Sequence, residues 1–312
     1  MTEKTMRAWR IHNYGGIDAM CLDSVPVPSA KAGEVLVRVS AISVNPIDWK
    51  MREGMLKGVF AMSFPRVLGR DCVGTVVEST DPALAVGARV LCAADPAKDG
   101  TNSEYALMPA AQTALVPDPV SDADAACLGV SGVSAWIPLM EDANIQAGQR
   151  VLIHAGAGGV GHIAIQLARL RGAEIYTTCS ASNSDYVRSL GAVRALDYRS
   201  EDFVALTPPC DAVLDVMGGE TNRRSYSVLK PGGVLVRLSA APVDPTPPRD
   251  DVRTVFSRIG CTRARLEALL ALAADGKLVP LVGKSVSFAE LPSAYAASQA
   301  GHVRGKIIVT VP

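Results

Sequence analysis

Residues 153–168 read IHAGAGGVGHIAIQLA, and this stretch decides the fold. Gly156, Gly158 and Gly161 satisfy the spacing G-x-G-x-x-G, directly after the apolar run RVLI (150–153) and directly before a patterned segment. In that segment Val160, Ile163, Ala164, Leu167 and Ala168 recur at helical spacing, and Gly172 stands where a helix would end. In such a strand–turn–helix unit the first glycine permits the tight turn and the second lets a pyrophosphate approach the backbone. The third lets the helix pack close to the strand. Unpaired N–H groups and the positive end of the helix dipole then receive the phosphates. The backbone of Gly156, Ala157, Gly158, Gly159, Val160 and Gly161 is therefore the expected cradle of a dinucleotide; an ordinary glycine turn is the alternative.

Downstream the pattern repeats. EIYTTC (174–179), RALDY (194–198), DAVLDVM (211–217) and VLVRLSA (234–240) read as strands, with helices in SDYVRSL (184–190) and TNRRSYSVL (221–229). Strands alternating with short helices predict βαβ units and a parallel sheet. The cofactor type is read at the end of the second strand, where an NAD-preferring site places Asp or Glu on the ribose hydroxyls. Thr177, Thr178, Cys179 and Ser180 supply no carboxylate there. Ser180, Ser182 and Asn183 are short donors placed for a 2′-phosphate, with Arg188, Tyr198 and Arg199 near in sequence, so NADP(H) is expected. Asp185 is the counterweight, either a solvated helix-start residue or a displaced ribose ligand.

Upstream, EVLVRVSAISV (34–44), RDCVGTVVEST (70–80), GARVLCAA (87–94) and EYALMPAAQTALV (104–116) read as strands broken by turns, and few helical patterns occur. Val35, Val37, Val39 and Ala41 alternate with Arg38 and Ser40, which predicts a half-buried strand. From Ser121, with Asp124 completing a capping box, a helix is expected to run toward Pro138. The stretch 241–250 is a proline-rich loop, 262–278 a helix, and RGKIIVTV (304–311) a strand expected to return to the N-terminal part. The fold class is thus α/β. Residues 1–120 form the first part of a β-rich domain, 121–260 a doubly wound nucleotide-binding domain inserted into it, and 261–312 the return.

Composition bounds the function. The 312 residues carry 31 basic and 31 acidic side chains and only 5% aromatics, leaving little for a nucleic-acid surface. No apolar run approaches the roughly 18 residues of a membrane span. No nucleic-acid or membrane partner is expected. The N-terminus MTEKTMRAWR lacks an apolar signal core, which predicts a cytoplasmic address. Seven scattered cysteines without a C-x-x-C pair read as small buried hydrophobes.

Seven segments in order resemble the medium-chain dehydrogenase/reductase family, specifically its zinc-free, NADPH:quinone oxidoreductase-like branch. They are SVNPIDWKMREG (43–54), VLGRDCVGTVVE (67–78), AGAGGVG (155–161), RSLGAVRALDYR (188–199), DVMGGE (215–220), SVLKPGGVLV (227–236) and GHVRGKIIV (301–309). The resemblance implies a GroES-like catalytic domain, a Rossmann domain, an active site in the cleft between them, and a homodimer. Zinc members supply Cys, His and Cys at positions that match Asn45, Arg70 and Leu128 beside Cys127, so no metal is expected. Without a Lewis acid, quinones and α,β-unsaturated carbonyls are easier hydride acceptors than simple ketones. The resemblance implies an NADPH-dependent quinone reductase. A 2-alkenal, enone or enoyl-thioester reductase shares the same site logic, and a non-catalytic NADP(H) sensor is the third reading.

The candidate catalytic residues are Asn45, matching an asparagine near the nicotinamide or acceptor, with Lys50 and Tyr105. Their structural alternatives are a turn before Pro46, a solvated lysine and a strand tyrosine. Arg70 is expected to pair with Asp71 or Asp48. The resemblance also implies cofactor contacts from Ser134, from the strand ends at Met217, Gly218, Leu238 and Ser239, and from Lys306 in the tail. His154 is read as a strand residue near the cofactor and His162 as helix surface. Asn102 and Ser103 replace an aromatic usual in the family and are candidates to line the acceptor pocket.

Overall fold

The computed structural model describes residues 4–93, 98–238 and 247–312. The chain divides into two compact units: residues 1–130, 261–275 and 280–312 form one, and 131–260 with 276–279 form the other.

The first unit begins with β1 (Thr5–Ile11), β2 (Met20–Pro26), β3 (Glu34–Val44) and the short helix α1 (Pro46–Arg52). Strands β4 (Arg66–Val67), β5 (Asp71–Ser79), β6 (Arg89–Ala93), β7 (Tyr105–Pro109) and β8 (Thr113–Leu115) follow, then α2 (Asp122–Leu128). The central strand is β3, which pairs antiparallel with β5 along its length and with β7 over residues 34–38. This explains a departure from the half-buried strand expected: Leu36 and Ile42 are as buried as Val35 and Val37, and Arg38 is the exposed residue of the run. A strand with neighbours on both edges and layers on both faces buries both sets of side chains.

Across the boundary, α3 (Val130–Trp136) continues into a π-helical turn, Ile137–Asp142. The single helix expected from Ser121 is thus broken. Ser121 does cap it, accepting from the Asp124 N–H at 3.1 Å, but at Gly129 the buried Asp71 carboxylate takes the Val130 N–H at 2.7 Å and starts a new helix. Helix α2 packs on β3 and β5 and belongs to the first unit, whereas the sequence reading groups it with 121–260.

The second unit contains β9 (Arg150–Ile153), α4 (Gly161–Leu170), β10 (Glu174–Cys179), α5 (Ser184–Ser189), β11 (Arg194–Asp197), α6 (Phe203–Leu206) and β12 (Cys210–Asp215). It continues through α7 (Gly219–Ser225), β13 (Leu229–Arg237) and β14 (Arg253–Phe256). All six strands are parallel, in the order β11-β10-β9-β12-β13-β14. This is the doubly wound order, which reverses direction between β9 and β12, beside the glycine loop.

The chain then returns through α8 (Arg263–Ala274), β15 (Val282–Ser287), α9 (Leu291–Ala300) and β16 (Lys306–Thr310). Strand β16 pairs antiparallel with β3, Ile307 opposite Val44. Helices α1 and α9 are absent from the sequence reading. In α9 only Leu291, Ala294 and Tyr295 are buried among alanines and serines, so no apolar stripe announces it. Six of the seven cysteines are buried and all are free thiols.

Candidate functional site

In the second unit the chain leaves β9 at Ile153, passes through Ala155 in a left-handed conformation (φ 54°), and enters α4 at Gly161. The three motif glycines have distinct reasons. A Cβ on Gly156 would collide with Thr177 Oγ1 on β10, and one on Gly161 with the Ala155 carbonyl. At Gly158 the nearest atom to such a Cβ is Ala155 O, 3.3 Å away, so this position faces outward. The amides of Ala157, Gly159 and Val160 donate to no backbone carbonyl among the described residues. A turn with these amides unspent on backbone carbonyls, at the start of a ten-residue helix, fits an anionic phosphate group.

At the end of β10, Asn183 Nδ2 donates to Ser180 Oγ at 2.9 Å, and Ser182 Oγ lies 3.2 Å from the same oxygen. Tyr198 N donates to Cys179 O at 3.1 Å, which brings the half-exposed Tyr198 beside this cluster, with the Arg199 guanidinium 5.4 Å from its ring. Asp185 points to solvent and pairs with Arg188, and the Asp197 carboxylate is taken by Ser200 Oγ and by the backbone N–H groups of Arg199 and Ala181. The cluster therefore presents hydroxyl and amide groups, with the Arg199 guanidinium beside Tyr198, a donor set that fits a phosphate.

The strand ends after β12 and β13 adjoin: Asp215 accepts from the Met217 and Gly218 amides and from Asn222 Nδ2, while Leu238 N donates to Asp215 O. Gly218 has φ 76° in this turn. Met217 is exposed, Leu238 half-buried, and Ser239 lies outside the described residues. Ser134 is buried on α3. His154 is buried with Nδ1 3.0 Å from Thr178 Oγ1 and Nε2 3.0 Å from Ser225 Oγ, and burial pushes its pKa down to about 4. His162, expected on the helix surface, is buried instead; its Nδ1 donates to the Gly158 carbonyl at 2.8 Å and so braces the loop.

The first unit holds a network of buried polar side chains where β3 ends. Asp71 accepts from Ser43 Oγ (2.7 Å) and Asn45 Nδ2 (2.9 Å) on one oxygen and from the Val130 N–H on the other. Asn45 Nδ2 also donates to Ser43 O at 3.1 Å, and Asn45 Oδ1 accepts from Lys306 Nζ at 2.7 Å. Both amide hydrogens of Asn45 are therefore taken, and the amide bridges a buried ammonium to a buried carboxylate. Lys306 is 3% exposed, also donates to Val44 O, and has its pKa lowered by burial; it belongs to the first unit. Asp48 is 1% exposed and accepts from the Asn45 N–H at 2.8 Å, closing half a capping box on α1. Burial raises its carboxyl to about 7.

The remaining candidates are placed as follows. Lys50 is half-buried on α1 with its ammonium 5.5 Å from the Trp49 ring, and burial lowers its pKa. Tyr105 stands opposite Arg38, so about 20 Å of strand β3 separates it from Asn45. Its hydroxyl accepts from Lys4 Nζ at 3.0 Å. Asn45 and Lys50 share one turn of chain; Tyr105 is elsewhere. Asn102 is buried, its amide donating to Tyr295 Oη at 2.7 Å, and Ser103 Oγ donates to Tyr105 O, so both serve the packing of the loop before β7. Arg70 is buried, and its charge acts on the buried Asp48.

The donor set does not fit zinc. Asn45 has its amide in the Lys306–Asp71 bridge, Arg70 is cationic, Leu128 has no donor, and burial pushes the Cys127 thiol to about 12, far from a thiolate. Among the described residues no three His, Cys, Asp or Glu side chains converge. Sequence reasoning missed Asp71 as the hub, with Ser43 and Tyr295. The one available signal was the buried-strand context of Asp71, at the start of an apolar run.

A family model described as alcohol dehydrogenase GroES-like domain matches residues 31–118, and one described as zinc-binding dehydrogenase matches 190–309. The chain is 31% identical to a chloroplastic quinone-oxidoreductase homolog of Spinacia oleracea over 99% of both chains. It is 33% identical to a chloroplastic NADPH-dependent alkenal/one oxidoreductase of Arabidopsis thaliana, over 98% of this chain and 80% of that one. The structure of a quinone oxidoreductase from Coxiella burnetii superposes with a TM-score of 0.91 at 30% identity, covering 99% of this chain and 100% of that one. The chloroplastic relatives overturn the cytoplasmic address expected from the N-terminus. The reason is physical: organelle-targeting segments are amphipathic rather than apolar, so the lack of an apolar core does not select the cytoplasm.

Proposed function

This chain belongs to the medium-chain dehydrogenase/reductase family, in its quinone oxidoreductase-like group, and on that premise we propose that it reduces quinones with NADPH and without zinc. The observation that carries the reading is the full-length likeness to quinone oxidoreductases, 99% of the chain in both sequence and structure. NADPH over NADH is supported by Ser180, Ser182 and Asn183 at the end of β10, with Tyr198 and Arg199 beside them and Asp185 pointing to solvent. Zinc independence is supported by the amide, guanidinium and alkyl groups at positions 45, 70 and 128.

A bound reduced nicotinamide supplies the hydride. The glycine loop, residues 156–161, holds the pyrophosphate by backbone amides, and the turn at Met217–Gly218 with Leu238 lies at strand ends where ligands of open parallel sheets bind; Ser239, outside the described residues, is proposed as a contact from the sequence alone. Ser134 and Lys306 complete the proposed cofactor contacts; Lys306 spends two of its three ammonium hydrogens on Val44 O and Asn45 Oδ1 and keeps one. Asn45 acts as a strut that fixes the start of α1. Lys50, on the next turn, has donors left for the oxygen where charge develops. The oligomer proposed is a homodimer, to be read by light scattering.

A second acceptor class, 2-alkenals and enones, is favoured by the likeness to the alkenal/one oxidoreductase at 33% identity. Initial rates of NADPH and NADH oxidation with matched panels of quinones and enones test both readings. Faster quinone turnover with NADPH is expected. Preference for enones moves the chain to the double-bond reductases, and tight NADPH binding with no turnover of any acceptor overturns the enzyme reading.

A further inference from the structure

In the first unit β1 and the segment leading into β7 start as neighbours and then part. Trp9 N donates to Asn102 O at 2.8 Å, and Glu104 N donates to Arg7 O at 3.0 Å. The pairing stops at Glu104, whose carboxylate takes the Arg7 N–H at 2.6 Å and Arg7 Nε at 2.8 Å. With a side chain in place of a carbonyl the backbone ladder ends there. Beyond it opens a cleft of about 320 Å³, with Met6, Val25 and Pro26 on one wall and Tyr105, Leu107 and Pro109 on the other.

The strand register fixes which backbone groups of β7 face away from β3. In an antiparallel pair, residues alternate between exchanging hydrogen bonds with the partner strand and turning those groups outward. Val39 N donates to Glu104 O and Ala110 N to Gly33 O, both at 2.9 Å, so Ala106 and Met108 bond to β3 while Tyr105, Leu107 and Pro109 turn outward. Tyr105 O already accepts from Ser103 Oγ at 2.7 Å. Pro109 has no N–H, and its carbonyl accepts from Thr113 Oγ1 at 2.9 Å. Of the three, Leu107 alone keeps both its N–H and its C=O for a partner on the cleft side. The charged groups at the rim are paired: Arg10 Nε donates to Asp23 at 2.7 Å, Lys98 lies 3.8 Å from Glu34, and Asp99 accepts from the Val67 N–H at 3.0 Å. Apolar walls, paired charges and one donor beside one acceptor call for a neutral ligand.

We propose that this cleft binds a neutral, planar bicyclic molecule whose ring edge carries an N–H beside a carbonyl, as a lactam does. The ligand N–H donates to Leu107 O and its carbonyl accepts from Leu107 N–H, the exchange a neighbouring strand would make. The ring faces rest on the apolar walls. A volume of about 320 Å³ lies at the small end for ligand pockets and suits one such bicycle. An extended peptide fits less well, because strand addition needs successive outward pairs, and Tyr105 O and Pro109 interrupt the series on both sides of Leu107. Leu107 stands opposite Leu36, nine positions before Asn45, which is about 30 Å along β3. The site is therefore separate from the Asn45 and Lys50 segment, and its occupancy does not depend on the proposed activity.

The test titrates isocarbostyril, a neutral bicyclic lactam, into the nitrogen-15-labelled full chain and follows the backbone amides by NMR. The Leu107 amide should shift, with a Kd of about 1 mM or lower for a ligand of this size. N-methylisocarbostyril keeps the ring and the carbonyl but has no N–H, and should bind about tenfold more weakly, the loss of one hydrogen bond. Val25→Trp fills the cleft from the β2 wall and should weaken isocarbostyril by a similar factor. A Leu107 amide that stays in place at saturating probe overturns the proposal, and so does equal binding of the two lactams. Unchanged binding to a folded Val25→Trp variant also overturns it. None of these readouts uses turnover, so a failure here is distinct from a failure of the quinone reductase reading.

Discussion

The glycine loop of the second unit and the Asp71 network of the first are built on opposite principles. The loop leaves backbone donors unspent: Gly156 and Gly161 lack side chains because Thr177 and the Ala155 carbonyl occupy the space, and the amides of Ala157, Gly159 and Val160 donate to no backbone carbonyl among the described residues. The network hides side chains: Ser43, Asn45, Asp71 and Lys306 satisfy one another in a water-excluded interior. A backbone site is ready for any ligand of the right charge and shape. A side-chain network spends its donors internally and contributes stiffness, as the two committed hydrogens of Asn45 show.

The sharpest way to break this comparison is to remove the buried cation. Lys306→Met leaves Asn45 Oδ1 and the Val44 carbonyl without their donor and Asp71 without its nearby positive charge. A loss of about 3 kcal/mol in denaturant unfolding of the first unit is expected. A variant as stable as the parent would show that the network does not hold the unit together.

Next in size is Gly161→Ala, whose Cβ meets backbone rather than a movable side chain. It should cost the second unit about 2–3 kcal/mol and abolish NADPH binding in a fluorescence titration. Retained binding would mean the loop is looser than its packing indicates.

The two units also contain buried ionisable groups with opposite pH behaviour. Asp48, raised to about 7 from 3.8, binds its proton more tightly folded than unfolded, so its contribution to stability falls as pH rises through that window. The groups around it are Asp71, Arg70, Lys306, Tyr295 and Arg52. His154, lowered from 6.5 to about 4, is neutral when folded and protonated when unfolded between those values, so its contribution rises with pH there. In the parent chain the two slopes oppose each other across the shared window. Unfolding followed against pH should show stability of Asp48→Asn rising more steeply with pH than the parent, and stability of His154→Gln falling more steeply. Parallel curves for all three proteins would refute both assignments.

A smaller effect tests the cluster at Ser180, Ser182 and Asn183. Ser180→Asp places a carboxylate beside Ser182 and Asn183 and should weaken NADPH about tenfold, or about 1.4 kcal/mol, while sparing NADH. Equal loss of both cofactors would move the 2′-phosphate away from this cluster. The smallest change is expected from Lys50→Met: Tm within a degree or so of the parent, and kcat/KM for quinone lowered about fivefold, about 1 kcal/mol of transition-state stabilisation. Unchanged kcat/KM would remove Lys50 from the acceptor side.

The sequence by itself determined the second unit's plan. Gly156, Gly158 and Gly161, the helical spacing of Val160 to Ala168, and the strand–helix alternation are local signals whose causes lie within a few residues. It also showed Ser180, Ser182 and Asn183 after the second strand, because residue type alone carries that argument. Only the tertiary structure decided what the polar residues of the first unit do. Asp71 meets Asn45 across 26 residues and Val130 across 59, and Lys306 meets Asn45 across 261. No periodicity spans such separations, so the same letters read equally well as a turn, an ion pair or a catalytic group. Helix α9 was equally silent, since alanine and serine pack on a helix face without an apolar stripe. What distinguishes these readings is which donors remain unspent after folding, and that depends on pairing β3 with β5 and β16, a long-range event that the sequence does not print.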